Sequence, residues 1–319
     1  MKTYWYDLRH ALCMGLVMPM LLTSLVRFTG VRGDVPEFTP PETWDSCQQV
    51  NLTTGETIDL ASYLVGVLLG EVPADFSMEA LKAQAVAART YTQKAIRTGR
   101  KHGGTLCTQA SCCQAYCPVE EYLQRGGSQE DVQRIREAVT DTDAQVLTYR
   151  GDYIEATFFS CSGGRTEDAV DVWGVACPYL QSTDSPGEEN AKYYRQSRLF
   201  SREQLEKLLN ITLPEDPESW ASNLERTQGG GVKTLELGQS SFSGVELRKI
   251  LGLPSAAFTV EPEGDGLVFE TRGNGHRVGL SQFGADAMAR EGAAYPEILA
   301  HYYPGATLES EAQGKSVEK

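Results

Sequence analysis

Between Asp59 and Tyr91, apolar residues recur at helical spacing in two runs separated by a proline corner. In the first run Leu60, Leu64, Val67 and Leu68 share one face, which predicts a helix that buries that face. Asp59 is placed to cap this helix, and Ile58 with Tyr63 to staple its entry. Pro73 biases Val72 away from helical angles, so the helix should end near residues 70–72. Ser77 opens the second run, with Glu79 in its first turn. There Met78, Leu81, Ala85 and Ala88 form a face, and Ala80, Ala83, Val86 and Ala87 cover most of the remainder. A helix apolar nearly all round should be buried.

Elsewhere the pattern is shorter in period. Residues 49–60 read as a hairpin turning at Thr54 and Gly55, and 129–140 as a helix. Residues 145–149 and 153–159 form a second hairpin, and 233–237, 257–261 and 267–271 read as strands. Short helices are expected at 201–209, 245–251 and 281–290, and a surface excursion at 214–222. Neither a parallel βαβ alternation nor a nucleotide-cradling loop emerges. The expected fold class is α+β, with mixed short strands and helices forming a substrate cleft after an N-terminal transmembrane helix.

That helix is expected because residues 11–26 are 16 uncharged, largely apolar positions flanked by Arg9 and Arg27. The span is short for a membrane helix and long for many signal-peptide cores, but no small-x-small cleavage pattern follows it. We therefore expect residues 1–28 to be an anchor, with the short Lys2 and Arg9 side cytoplasmic and the protein single-pass in the cell membrane. Residues 29–47, with Pro36, Pro40 and Pro41, read as an extracytoplasmic tether. Residues 48–309 are expected to form the working domain, and 310–319 a disordered tail. The 319 residues are 41% hydrophobic, enough for a full core. The net charge of −14, with no run of Lys or Arg, argues against a nucleic-acid ligand.

The chemistry concentrates in few residues. Glu71 falls at a helix C-terminus beside Leu68, Leu69 and Val72, where the macrodipole and the apolar surroundings both raise a carboxyl pKa. A carboxylic acid that keeps its proton near neutrality is suited to general acid catalysis, although a Glu fraying into solvent is the plainer reading of the local sequence. Lys82 and Arg89 share a side of the second helix, roughly 10 Å apart along its axis. Each needs an internal anionic partner or a wet cleft, and at least one is expected to touch substrate. Cys107, Cys112, Cys113 and Cys117 cluster just after His102. Outside the membrane disulfides are the default reading, but adjacent Cys112 and Cys113 cannot readily pair, and the short loop suits a metal better. Ser162, Gly163, Gly164 and Thr166 are small residues suited to close approach of a polymer, and a lone motif of this kind is also an ordinary turn. Trp173 and Tyr179 read as core sooner than as a sugar platform. Glycines around His276 can bring it and the helix start at Ser281 and Gln282 toward a ligand, but no acidic orienter supports a Ser–His hydrolase.

Four segments, in order, resemble the SpoIID/LytB family: GVLLGEVPADFSMEALKAQAVAARTY, HGGTLCTQASCCQAY, SGGRTEDAVDVWGVACPYLQS and GNGHRVGLSQFGADAMAREGAAYPEILAHYYPG. The resemblance covers about residues 49–308. It implies a peptidoglycan lytic transglycosylase, with Glu71 as single acid and base and Arg89, and less firmly Lys82, as substrate-binding cations. By the same resemblance Ser162, Gly163, Gly164, Thr166, His276, Ser281 and Gln282 contact substrate. Some members bind zinc in the cysteine loop, which implies a structural zinc on His102, Cys107, Cys113 and Cys112, the last standing where the family has His. Cys117 is an alternative fourth ligand. Asn274 and Arg277 depart from the family's Trp-Gly-His-Gly. The resemblance further implies denuded glycan strands as substrate, an amidase partner, a membrane scaffold and a role in sporulation engulfment. The competing expectation is a non-catalytic enhancer of an amidase.

Overall fold

A computed structural model describes residues 43–99 and 102–311. The expected anchor at 1–28, most of the tether and residues 312–319 lie outside the described residues. Among the described residues, no helix is long and apolar enough to cross a membrane.

The fold is mixed α+β, built around two hydrophobic cores. The first core surrounds the helices Leu60–Glu71 and Met78–Thr98. Asp59 caps the former by accepting from the Ser62 N–H at 2.8 Å, and Leu60, Leu64, Val67 and Leu68 are fully buried, as their spacing predicts. The helix stops at Glu71 because Val72 is extended ahead of Pro73. Helices Gln129–Asp141, Gln282–Arg290 and Tyr295–Tyr302 pack around this pair. Strand Gln145–Tyr149 closes one side, between Asp152–Tyr153 and Thr307–Ser310.

The second core lies between two three-stranded antiparallel sheets and the helices Arg202–Leu209 and Gly244–Leu251. One sheet contains Arg195–Ser201, Gly266–Arg272 and Phe258–Glu263; the other contains Ala221–Arg226, Val232–Leu237 and Ser240–Ser243. Trp220, within the expected surface excursion, is instead fully buried in this core, with its indole N–H donating to the Pro214 carbonyl at 2.8 Å.

A buried ion pair ties the two cores together. Arg277 Nη1 lies 2.8 Å from Glu167 Oε1, and its other nitrogens donate to the carbonyls of Ser162, Arg165 and Gly229. Glu167 in turn accepts from Gly231 N–H and Thr227 Oγ1, both at 2.7 Å, in a turn of the second core. Arg277 has φ +64°, a left-handed angle that suits the Gly of the family pattern. Its side-chain bonds, which a glycine cannot make, hold it there.

Four further expectations differ from the structure. Residues 44–47 of the expected tether form a helix, Trp44–Cys47, and belong to the first core. Asp45, buried at 1% exposure, receives Arg89: Nη2 reaches Oδ2 at 2.6 Å, and Nε lies 2.9 Å from both carboxylate oxygens. Arg89 also donates to the carbonyls of Val139 and Gln145, so its guanidinium is held inside the protein and does not line the Glu71 cleft. Lys82 pairs with Glu79 and Asp141 at 3.4 and 3.0 Å and does not line the cleft either. Finally, residues 309–310 of the expected tail and its border belong to a strand paired with Val146 and Gln145.

The two ion pairs predict different costs. Asp45→Ala strands a fully buried guanidinium and should lower unfolding stability by about 3–5 kcal/mol. Lys82→Ala, at a partly solvated pair, should cost under about 1 kcal/mol. Urea unfolding of both variants checks the contrast; equal small losses would contradict the description of Arg89 as an internal strut.

Candidate active site

Glu71 ends its helix facing a cleft of about 550 Å³. Tyr91, the cysteine loop at Ser111, Cys112 and Cys113, Phe158, Phe159, Trp173, Arg248 and His276 form its walls. Among these lining residues, Glu71 is the one acid and Arg248 the one side chain with a permanent positive charge.

Small residues on the Glu71 helix seat the cysteine loop. The Tyr116 ring occupies the space above Gly66, where an added Cβ would fall 2.2 Å from it. At Gly70 a Cβ would lie 3.0 Å from the Tyr116 nitrogen. The loop backbone approaches closely enough for Cys117 N–H to donate to the Gly66 carbonyl at 2.9 Å. This docking delivers the Ala115 N–H to Glu71 Oε1 at 2.6 Å. On the other side, Gln282 Nε2 stands 3.5 Å from Oε2. Burial raises the Glu71 pKa above its ordinary 4.5, and the bonds from Ala115 and Gln282 offset this only in part. Arg248 is not ion-paired to the carboxyl, so the raised direction stands.

The cysteine loop holds a set of donors that can ligate a metal ion. One nitrogen of His102 and the sulfurs of Cys107, Cys112 and Cys113 all lie within 4.8 Å of one another. His102 Nε2 is 3.3 Å from Cys112 Sγ. Burial opposes ionisation of Cys107, but bonds from the Gln109 backbone, Cys112, Cys113 and His102 prevail and lower its pKa to about 7. Cys117 stands apart, buried, with its thiol directed at the Pro118 carbonyl. All seven described cysteines are free thiols.

His276 is placed at the cleft, but as a neutral wedge. Its Nδ1 accepts from the Val278 N–H at 3.2 Å, and its ring lies 5.2 Å from Trp173 and 5.6 Å from Phe159. Burial, reinforced by the Arg248 charge, lowers its pKa to about 4 against a backbone hydrogen bond at Phe158. Ser281, fully buried, caps the helix Gln282–Arg290 and donates to Glu188 at 2.5 Å. It is therefore a helix cap that does not line the cleft.

Ser162 and Thr166 are corrected in the same way. Both are fully buried: Ser162 donates to Glu188, and Thr166 bonds to the Gln181 and Thr183 backbone. Gly163 and Gly164 line a different cleft, away from Glu71. Sequence reasoning missed Arg248 because a single cation on a short amphipathic helix carries no signal of what it faces. Trp173, weighed toward the core, is instead 43% exposed at the rim beside Val170 and Val175. The one local hint of this is the Gly174 that follows it and ends its short helix.

Geometry alone thus defines an α+β protein with one half-buried carboxyl group facing an aromatic-rimmed cleft. The SpoIID family model, stage II sporulation protein, matches residues 48–149. Stage II sporulation protein D of Bacillus amyloliquefaciens is 36% identical over 258 residues, covering 79% of this chain and 75% of that protein. The protein of the same name from Bacillus subtilis (strain 168) is 36% identical over 259 residues, with the same coverage. The amidase enhancer of that strain is 29% identical over 303 residues, covering 77% of this chain but 40% of the relative. The chain belongs to the SpoIID family.

The protonation of Glu71 has a consequence for stability. A carboxyl whose folded pKa is raised contributes stability that is present below about pH 4.5 and lost as pH rises through the folded pKa. Glu71→Gln removes that loss. Its melting temperature should exceed that of the wild type by a margin that grows from about pH 4 to about pH 8. A margin independent of pH would mean that the carboxyl titrates in the ordinary range.

Proposed function

We propose that the protein is a peptidoglycan lytic transglycosylase that cleaves the bond between N-acetylmuramic acid and N-acetylglucosamine in denuded glycan strands. The observation that carries this reading is the lone carboxyl on the cleft wall. A hydrolytic glycosidase uses two carboxyl groups on opposite sides of the bond. A lytic transglycosylase needs one, because the substrate supplies its own nucleophile.

Protonated Glu71 donates its proton to the glycosidic oxygen as the bond from muramic acid C1 breaks. The resulting carboxylate then takes the proton of the C6 hydroxyl of that sugar while the hydroxyl oxygen bonds to C1. The product ends in a 1,6-anhydro ring, Glu71 is reprotonated and no water is consumed. The Ala115 N–H stabilises the carboxylate between the two proton transfers. Arg248 is suited to a lactyl carboxylate or an acetamido carbonyl, the role the sequence pattern assigned to Arg89 and Lys82. Trp173 offers a face on which a sugar ring can stack.

His102, Cys107, Cys112 and Cys113 suit a zinc ion with all four positions filled by protein, hence a structural one. Its effect on the reaction is indirect, through the loop that carries Ala115. Family membership supports a part in sporulation; an amidase and a membrane scaffold as partners, and the cell membrane as location, belong to the same proposal. The similarity to an amidase enhancer favours one other reading, a glycan-binding module without catalysis.

Mass spectrometry of denuded strands incubated with the purified chain decides between these. We expect anhydro-ended fragments, falling at least about 1,000-fold in Glu71→Gln, which removes the proton donor. Binding without any fragments would leave the module. Elemental analysis should find one zinc per chain, lost in Cys112→Ala and kept in Cys117→Ala; retention in both would exclude this ligand set.

A further inference from the structure

Gly163 and Gly164, which the catalytic cleft does not use, border a second cleft of about 530 Å³. Arg226 and Arg272 line it, with the ring of Tyr194 and the turn at Gly229. In a chain of net charge −14, guanidinium groups outnumber acids on this wall. Two of the arginines are already answered: Arg277 by Glu167 and Arg165 by Asp184. Glu270, the acid on the wall, is answered by Arg195. Among the described residues Arg226 donates to the carbonyls of Gly230 and Phe258 and meets no carboxylate, so its orientation is fixed without its charge being neutralised. Arg272 projects from the end of strand Gly266–Arg272, exposed, with no carboxylate against it among the described residues. Two uncompensated guanidinium groups thus face a cleft large enough for a disaccharide.

The approach is open by construction. Gly163 has φ +74°, and a Cβ there would meet the Arg272 backbone at 2.8 Å, so the floor is bare main chain. The second cleft also adjoins the first through one short stretch of backbone. Gly275 and His276 face the Glu71 cleft, whereas Arg272 and Arg277 face the arginine cleft. Residues 272–277 thus contribute to the walls of both clefts.

We infer that the arginine cleft is a second binding site for the acidic polysaccharide, in which Arg272 and Arg226 recognise a sugar-borne carboxylate some residues along the strand from the bond being cut. The planar guanidinium fork matches a carboxylate, and Tyr194 supplies an apolar face for the ring. The inference rests on the glycan reading of the ligand, but not on cleavage.

The test uses the full chain carrying Glu71→Gln, with denuded strands of about ten disaccharides or more as probe. Adding Arg272→Glu should weaken binding at least about tenfold, whereas Arg272→Lys should recover part of the loss. Strands whose carboxyl groups have been reduced to alcohols should bind both proteins equally. Unaltered affinity for native strands would overturn the inference, as would an equal loss with reduced strands, which would make the effect one of folding. A wild-type chain that binds strands through Arg272 but releases no anhydro ends would overturn the catalytic reading and leave this one standing.

Discussion

Whether Glu71 holds a proton depends on how few donors reach it. Three carboxylates of this fold are removed from water close to the working face, and their surroundings differ. Glu188 accepts from Ser162 N–H and Oγ, Gly163 N–H, the Cys161 thiol and the hydroxyls of Ser185 and Ser281. Glu167 has the Arg277 guanidinium, Thr227 and Gly231. These two are built as fixed acceptors around which loops are folded. Glu71 receives one short backbone bond and one long contact from an amide, and no cation. At Glu71 desolvation outweighs hydrogen bonding, and that imbalance raises its pKa.

The imbalance is maintained by packing. Gly66 and Gly70 lie four residues apart, so they stack on one face of the helix that ends at Glu71. Tyr116 fills the space they leave, and its ring stacks on Tyr63 at 5.6 Å. The cysteine loop is therefore held against the helix at a distance fixed by absent side chains. A larger residue at either glycine would push away the very N–H that steadies the carboxylate. Any metal bound by His102 and its three cysteines would act on the same element, by stiffening a loop whose contact with Glu71 is already made.

Much of the first core was legible because its signals are local. Asp59, Pro73 and the spacing of leucines define the Glu71 helix, and Thr54–Gly55 the turn of the first hairpin. Partners of charged residues were not legible, because they are remote in sequence. Arg89 finds Asp45, 44 positions upstream, in a stretch whose prolines suggested a tether. Arg248 reaches the Glu71 cleft from a helix of the second core, and nothing in its neighbours indicates that direction. Ser162, Thr166 and Ser281 belong to the right region, but they bond inward to Glu188 and to the backbone, and small polar residues give no clue to which side they face. Ala221–Arg226 escaped notice as a strand because five of its six residues are exposed, which erases the alternation a half-buried strand would show.

The left-handed Arg277 shows how the second core is coupled to the first. A non-glycine residue at φ +64° persists only where its surroundings over-determine it. Here four acceptors do so, drawn from the Ser162–Glu167 segment and from the Gly229 turn. Arg277 directly follows His276, and the Ser162–Glu167 segment runs on to Trp173; both His276 and Trp173 line the Glu71 cleft. Fixing Arg277 therefore fixes His276, and with it the Trp173 rim, relative to the core that contributes Arg248. A cleft assembled from two cores in this way needs such a joint, because Glu71 lies on one core and the cation that faces the same cavity lies on the other. The charge pair is not placed to strengthen either core by itself. Its position between them makes it a registration device, which is the use of a buried ion pair best justified by its desolvation cost.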